Sequence, residues 1–290
     1  MFKAFHDTMF GAAAQARTDP ALEVIERRAP RRRYETPVLF IHGAFAGAWC
    51  WDEYFLPYFA SRGFDAYAVS LRGHGNSEGR RYLHMASIAD YVHDVDRTVR
   101  SLERPPVLVG HSMGGMVVQK YLERHAAPAA VLMASVPPTG LALPTLRLML
   151  GDPWLLTQIN LVHSWNPHLV DFKTAKRAVF SDDMDEEELL RHGRRFRAES
   201  QRALWDMTVG NLPQVWRIKV PPLLVLGAEN DALFPPAMVR ETARVYGAEA
   251  EIFPGVAHAM MLERRWRLVA DRIIDWLARL ESRAADAPAA

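Results

Sequence analysis

Between Pro106 and Leu122 the chain changes pattern abruptly. Pro106-Val107-Leu108-Val109 is an apolar run suited to a strand buried on both faces. The run stops at Gly110, and after Ser112 the segment Met116-Val117-Val118-Gln119-Lys120-Tyr121-Leu122 reads as an amphipathic helix. The turn between them is Gly110-His111-Ser112-Met113-Gly114. A strand that passes so sharply into a helix holds the middle residue, Ser112, at strained backbone angles. Two positions away on each side, only small side chains fit between the strand and the helix. The serine hydroxyl is then left exposed, with a helix N-terminus aimed at the same point. A glycine turn that merely buries a serine is the plain alternative, and the strand before and helix after weigh against it.

The rest of the chain repeats this alternation. Pro37-Val38-Leu39-Phe40-Ile41 is a buried strand ending in His42-Gly43-Ala44-Phe45-Ala46-Gly47. A helix from Trp49 to Arg62 and a strand from Asp65 to Ser70 follow, then the glycine-rich turn Arg72-Gly73-His74-Gly75-Asn76-Ser77. A helix from Met85 to Leu102 leads into the serine strand, and Ala129 to Ala134 is the next strand. Beyond Ile218 come a strand (Pro222 to Leu226), a helix (Pro236 to Tyr246), a strand (Ala250 to Phe253) and a long amphipathic helix (Leu262 to Leu280). Alternating strands and helices specify an α/β fold, a mostly parallel sheet with helices on both faces. Ala21 to Arg28 and Arg31 to Tyr34 read as an arginine-rich hairpin, a solvated face.

Residues 137–215 break the rhythm, with several helix signals and no clear strand. They are expected to form a helical cap inserted between two parts of the core, residues 1–136 and 216–290. Residues 1–20 form a helical lead, with Phe2, Phe5, Met9 and Phe10 on one face, packed on the body or forming a homodimer contact. Asp183 and Glu186 stand at capping-box spacing in an acidic helix start. A metal site there is disfavoured, because no histidines stand beside it at ligand spacing. The end, Ser282 to Ala290, is alanine-rich and expected to fray.

The 290 residues are 49% apolar, enough for a large core, and the net charge of +1 points to neither nucleic acid nor an anionic membrane. Cys50 is the sole cysteine, so no internal disulfide forms. No apolar run reaches the roughly 18 residues of a membrane span. The N-terminus lacks the continuous apolar segment of a secretory signal. A cytoplasmic protein is expected.

A serine hydroxyl needs a base, and the base an orienting acid. Both should arise from loops at the strand ends where Ser112 sits. The strand from Pro222 runs into Gly227-Ala228-Glu229-Asn230-Asp231-Ala232, with Asp231 the chosen acid and Glu229 in reserve. The strand from Ala250 runs into Pro254-Gly255-Val256-Ala257-His258, with His258 the base. The backbone N–H groups of Met113 and Ala44 are the candidate donors for a developing oxyanion. His42 is read as a brace for the loop after the first central strand.

These elements together resemble an α/β-hydrolase-fold serine hydrolase of the esterase or monoacylglycerol-lipase-like kind, with a helical lid. The resemblance rests on His42-Gly43, Arg72 to Ser77, Gly110 to Gly115, Asp231 and His258, in the order Ser, Asp, His. It covers residues 37–135 and 220–280. It implies an eight-stranded sheet, no cofactor and an acyl-serine intermediate. Ser70 departs from it, since many relatives carry Asp there. The expected activity is hydrolysis of a small carboxylic ester with a hydrophobic acyl or alkyl group. The alternatives are C–C bond hydrolysis or hydroxynitrile-lyase-type chemistry with the same triad, or a weakly catalytic ligand-binding homologue.

Overall fold

The computed structural model describes residues 19–154, 156–157 and 179–285. Most of the expected lead (residues 1–18), much of the expected cap and residues 286–290 lie outside that set. The strands are β1 (Val24–Arg27), β2 (Val38–Ile41), β3 (Ala66–Val69), β4 (Val107–His111), β5 (Ala130–Met133), β6 (Leu223–Ala228) and β7 (Ala250–Phe253). They form one sheet in the order β1-β3-β2-β4-β5-β6-β7, parallel throughout except where β1 meets β3. The helices are α1 (Trp49–Asp52), α2 (Phe55–Ser61), α3 (Ile88–Ser101), α4 (Met113–Leu122), α5 (Ala142–Gly151), α6 (Glu186–Gly193), α7 (Gln201–Trp205), α8 (Pro236–Val245) and α9 (Trp266–Ala285).

The central strands β2 and β5 are apolar and buried at every position because both their faces are covered. On β2, Val38 and Phe40 join the core on the side of α1, α2 and α9, with Trp51, Phe55, Phe59, Val269 and Ile273. Leu39 and Ile41 join the opposite core, with Ile88 and Tyr91 of α3, Met116 and Val117 of α4 and Val239 of α8. The period of two along the strand separates the two sets.

From β2 the chain winds outward to β3, then crosses back to β4 and winds the other way. The reversal leaves a crevice at the C-terminal ends of β2 and β4, where open α/β sheets bind ligands. Ile41 pairs in register with Gly110, so the loops after β2 and β4 leave the sheet side by side.

Several expectations change. Among the described residues the sheet has seven strands, not eight. The hairpin is absent: β1 pairs with β3, and Arg33 and Tyr34 donate their N–H groups to Gly63 O instead. Arg31 to Arg33 offer no apolar face to a sheet, and Tyr34 is held by stacking on Phe64 with ring centroids 3.9 Å apart. The helix expected from Trp49 breaks into α1 and α2. Helix α3 starts late because Ser87 caps it, accepting from Asp90 N at 3.1 Å while Asp90 Oδ2 accepts from Ser87 N at 2.9 Å. The cap of α6 is Asp185, which accepts from Glu187 N and Glu188 N. Asp183 instead accepts from Ser181 Oγ and pairs with Arg265. Helix α9 continues past Ser282 to Ala285. Among the described residues no helix is long and apolar enough to cross a membrane, and no cluster of three or more metal-ligating side chains occurs.

Candidate active site

Ser112 lies between β4 and α4 at φ 52° and ψ −118°. That is a sparsely populated region for a residue with a Cβ, and it is held by the close fit of strand against helix. A Cβ on Gly114 would overlap the carbonyl oxygens of Ile41 and His42, and one on Gly110 would overlap the Gly114 carbonyl. The sheet also grips the turn directly. Ser112 N donates to Met133 O at 3.1 Å, and Val136 N donates to Ser112 O at 3.1 Å. Ser112 keeps 8% of its surface exposed. Met113 is the first residue of α4, so its N–H has no acceptor within the helix and points out of its N-terminus.

The loops after β6 and β7 bring Asp231 and His258 together. His258 Nδ1 lies 2.8 Å from Asp231 Oδ2, with both side chains almost wholly buried. Asp231 Oδ1 accepts from Leu233 N at 2.8 Å and Phe234 N at 2.9 Å, which fixes the carboxylate plane. Glu229, the reserve, does not join this pair. Its Oε2 accepts from Gly255 N at 2.9 Å and ties the two loops together.

Ser112 and His258 make no direct hydrogen bond here; catalytic contacts of unliganded enzymes often tighten only when substrate arrives. Their link runs through His111, whose Nε2 lies 2.9 Å from His258 O and whose ring is 4.8 Å from the His258 ring. Burial, reinforced by the nearby His258, drives His111 well below the usual histidine range. A neutral ring whose Nε2 faces a carbonyl donates from that nitrogen.

After β2, His42 braces its loop as expected. Its Nδ1 lies 2.7 Å from Gly43 O and its Nε2 accepts from Leu71 N at 3.0 Å. Burial lowers its pKa to about 3, so it stays neutral. Phe45 takes the left-handed conformation at φ 66°. Its N–H donates to Glu199 Oε2 at 3.1 Å, whereas Ala44 N–H meets no acceptor among the described residues. Of the two candidate donors in this loop and the elbow, each is an N–H left open at the sheet edge above β2 or β4.

The geometry thus consists of a serine in a strand-to-helix turn, a buried His–Asp pair and two open amides beside it. The family model for the alpha/beta hydrolases matches residues 38–272. The chain belongs to the alpha/beta hydrolase family. Among relatives of this hydrolase, a monoacylglycerol lipase from Mycolicibacterium smegmatis is 27% identical over 239 residues, 76% of this chain and 80% of its own. A non-heme haloperoxidase from Rhodococcus erythropolis is 37% identical over 106 residues, 35% of this chain and 38% of its own. An esterase from Exiguobacterium antarcticum shares the fold with a TM-score of 0.72 at 17% identity, covering 89% of this chain and 96% of its own.

Two carboxylates of this hydrolase have no place in the sequence reading. Glu23 accepts from Ser70 Oγ at 2.6 Å and from Asn76 N at 3.0 Å. Ser70 Oγ in turn accepts from Ala48 N at 2.8 Å. Glu23 therefore brings a carboxylate to the Ser70 hydroxyl, the position where the resemblance implied Asp. The other is Glu199, fully buried beside the loop of Ala44. Neither could be picked out locally, since their partners lie 47 and 154 residues away.

Proposed function

We propose that this hydrolase cleaves small carboxylic esters by nucleophilic catalysis at Ser112. The observation that carries the reading is the buried His258–Asp231 bond of 2.8 Å beside a serine held at φ 52°. In this reading Asp231 accepts from His258 Nδ1–H, which leaves the Nε2 lone pair for the Ser112 proton. Ser112 Oγ attacks the ester carbonyl, and the amides of Met113 and Ala44 donate to the oxygen that becomes anionic. His258 returns the proton to the leaving alcohol. Water then attacks the acyl-serine with His258 again as base.

The monoacylglycerol lipase likeness supports an ester substrate over the other bonds that triads cleave. In this reading the described part of the segment 137–215 serves as a lid for the site. Leu148 of α5 packs with Leu156, Val179, Ala232 and Leu233, next to the loop that carries Asp231. Such a roof favours a hydrophobic acyl or alkyl group. The test is turnover of p-nitrophenyl esters by the wild-type protein and by Ser112→Ala. The reading expects hydrolysis by the first alone. Equal rates for the two, or no hydrolysis by either, would contradict it.

A further inference from the structure

Glu199 is fully buried, in the stretch between α6 and α7, and four hydrogen-bond donors converge on its two oxygens. Oε2 lies 2.9 Å from His74 Nε2 and accepts from Phe45 N at 3.1 Å. Oε1 accepts from Tyr91 OH at 2.8 Å and Ser200 N at 2.6 Å. His74 is buried too, and its Nδ1 lies 3.1 Å from Arg72 O. Both ring nitrogens face acceptors, so both carry protons and the ring is a cation. Burial by itself would lower the His74 pKa, but the charge and hydrogen bond of Glu199 raise it above the ordinary 6.5. Burial would raise Glu199, but the charge of His74, with the bonds from His74, Ser200 and Tyr91, brings it down to about 2. The pair is ionised in the protein interior.

A buried ion pair gains little stability over apolar packing, so its presence asks for a reason. The reason lies in Phe45. Its left-handed backbone, at φ 66°, is strained for a residue with a Cβ. Such a conformation persists only where its surroundings over-determine it. Both of its peptide groups are gripped by one short stretch of the β5–β6 segment. Glu199 takes the Phe45 N–H, and Arg197 N donates to Phe45 O at 2.9 Å. Phe45 directly follows Ala44. With the Phe45 N–H taken by Glu199, the Ala44 N–H is the amide of the pair with no acceptor among the described residues.

We propose that Glu199 is a positioning residue for the oxyanion loop, which the His74–Glu199 ion pair locks in its strained form and ties to the helical segment between β5 and β6. This rests on the ester-hydrolase reading and adds a dependence of the oxyanion donors on the position of the lid. Glu199 touches no reacting atom and acts only through Phe45.

Glu199→Gln keeps the size and offers one acceptor oxygen where two are needed. One end of the amide then turns a donor toward either Phe45 N–H or Tyr91 OH. A misplaced donor costs rate at the transition state, with little effect on ground-state binding. The experiment measures kcat and KM for a p-nitrophenyl ester, together with inhibition by an alkyl boronic acid, whose serine adduct places an oxygen at the oxyanion position. Expected is a fall in kcat on the order of 10²-fold for a displacement of about 1 Å, with KM within about twofold. Boronate affinity should fall in parallel. Tyr91→Phe, which removes one donor to Glu199 and leaves the pair charged, provides a second, folded variant. It should lower kcat several-fold at unchanged KM. Unchanged kcat and boronate affinity in both variants, or a loss confined to KM, overturns the inference while hydrolysis by the wild type leaves the ester reading standing. Absence of any hydrolysis by the wild type overturns both.

Discussion

At the scale of single residues the site depends on which atoms face each other. In the proposed mechanism Ser112→Ala removes the nucleophile, and it opens no large cavity. Esterase kcat should fall on the order of 10³-fold or more, and the melting temperature should hold, as measured by paired kinetics and thermal unfolding. Asp231 and Glu229 stand two residues apart, yet only Asp231 bonds to His258. Asp231→Asn takes away the acceptor that holds the Nδ1–H tautomer, so kcat should drop on the order of 10⁴-fold. Glu229→Gln loosens only a tie to Gly255 N and should cost far less. A larger loss at Glu229 in side-by-side kinetics would reverse the assignment. That the loops of Ser112, Asp231 and His258 would reach one sheet edge was legible in sequence, because each residue ends or closely follows an apolar strand and parallel strands deliver such loops to one edge. Glu199 was not legible, because its partners His74 and Phe45 are 125 and 154 residues away.

At the scale of elements, the fit of α4 on β4 and β2 sets the serine angle. Gly114→Ala puts a methyl group against the backbone oxygens of Ile41 and His42, which cannot swing aside as a side chain could. Overpacking of this kind costs about 1–3 kcal/mol, readable as a lowered denaturation midpoint, with activity lost through the shifted elbow. The His74–Glu199 pair links the loop after β3, the loop after β2 and the stretch before α7, so its stability has a pH signature. Glu199 is held below its ordinary 4.5, so its contribution is complete above that value and fades as pH falls toward about 2. His74 is held above its ordinary 6.5, so its contribution is complete below that value and fades as pH rises through the folded value. The rings facing His74 are His42 at 5.0 Å and Tyr91 at 5.7 Å. His42 stays neutral above about 3, and burial raises Tyr91 well beyond the usual tyrosine range. The stability gap between wild type and Glu199→Gln should therefore be widest between 4.5 and 6.5, at roughly 3–5 kcal/mol for a broken buried pair. Denaturant titrations across pH measure it; a gap that keeps growing above pH 8 would contradict the ionised pair. The alternation of strand and helix was readable from apolar periods alone. The arginine hairpin was misread because alternation over a few residues does not say which strand will pair with which, and β1 found β3 rather than Tyr34.

At the scale of the whole molecule, the described part of the segment 137–215 covers only some of its apolar residues. On α5 only Pro144 and Leu148 are buried, whereas Leu143, Leu146, Met149 and Leu150 are exposed, as is Trp154 just beyond. Leu148 still packs on Ala232 and Leu233, beside the loop of Asp231, which fits the proposed lid. An ester series at fixed leaving group should therefore show kcat/KM rising several-fold per added pair of acyl carbons, from roughly 0.8 kcal/mol per buried methylene, until the crevice is full. A maximum at acetate with steady decline would mean a compact polar substrate. The central claim, that Ser112 is the nucleophile activated by His258 and Asp231, is tested most directly by covalent labelling. The protein is treated with a fluorophosphonate, its intact mass is recorded and the modified peptide is mapped. The account predicts one adduct, on Ser112, absent from Ser112→Ala and formed far more slowly in His258→Ala. No adduct, or one on another residue that persists in Ser112→Ala, would contradict it.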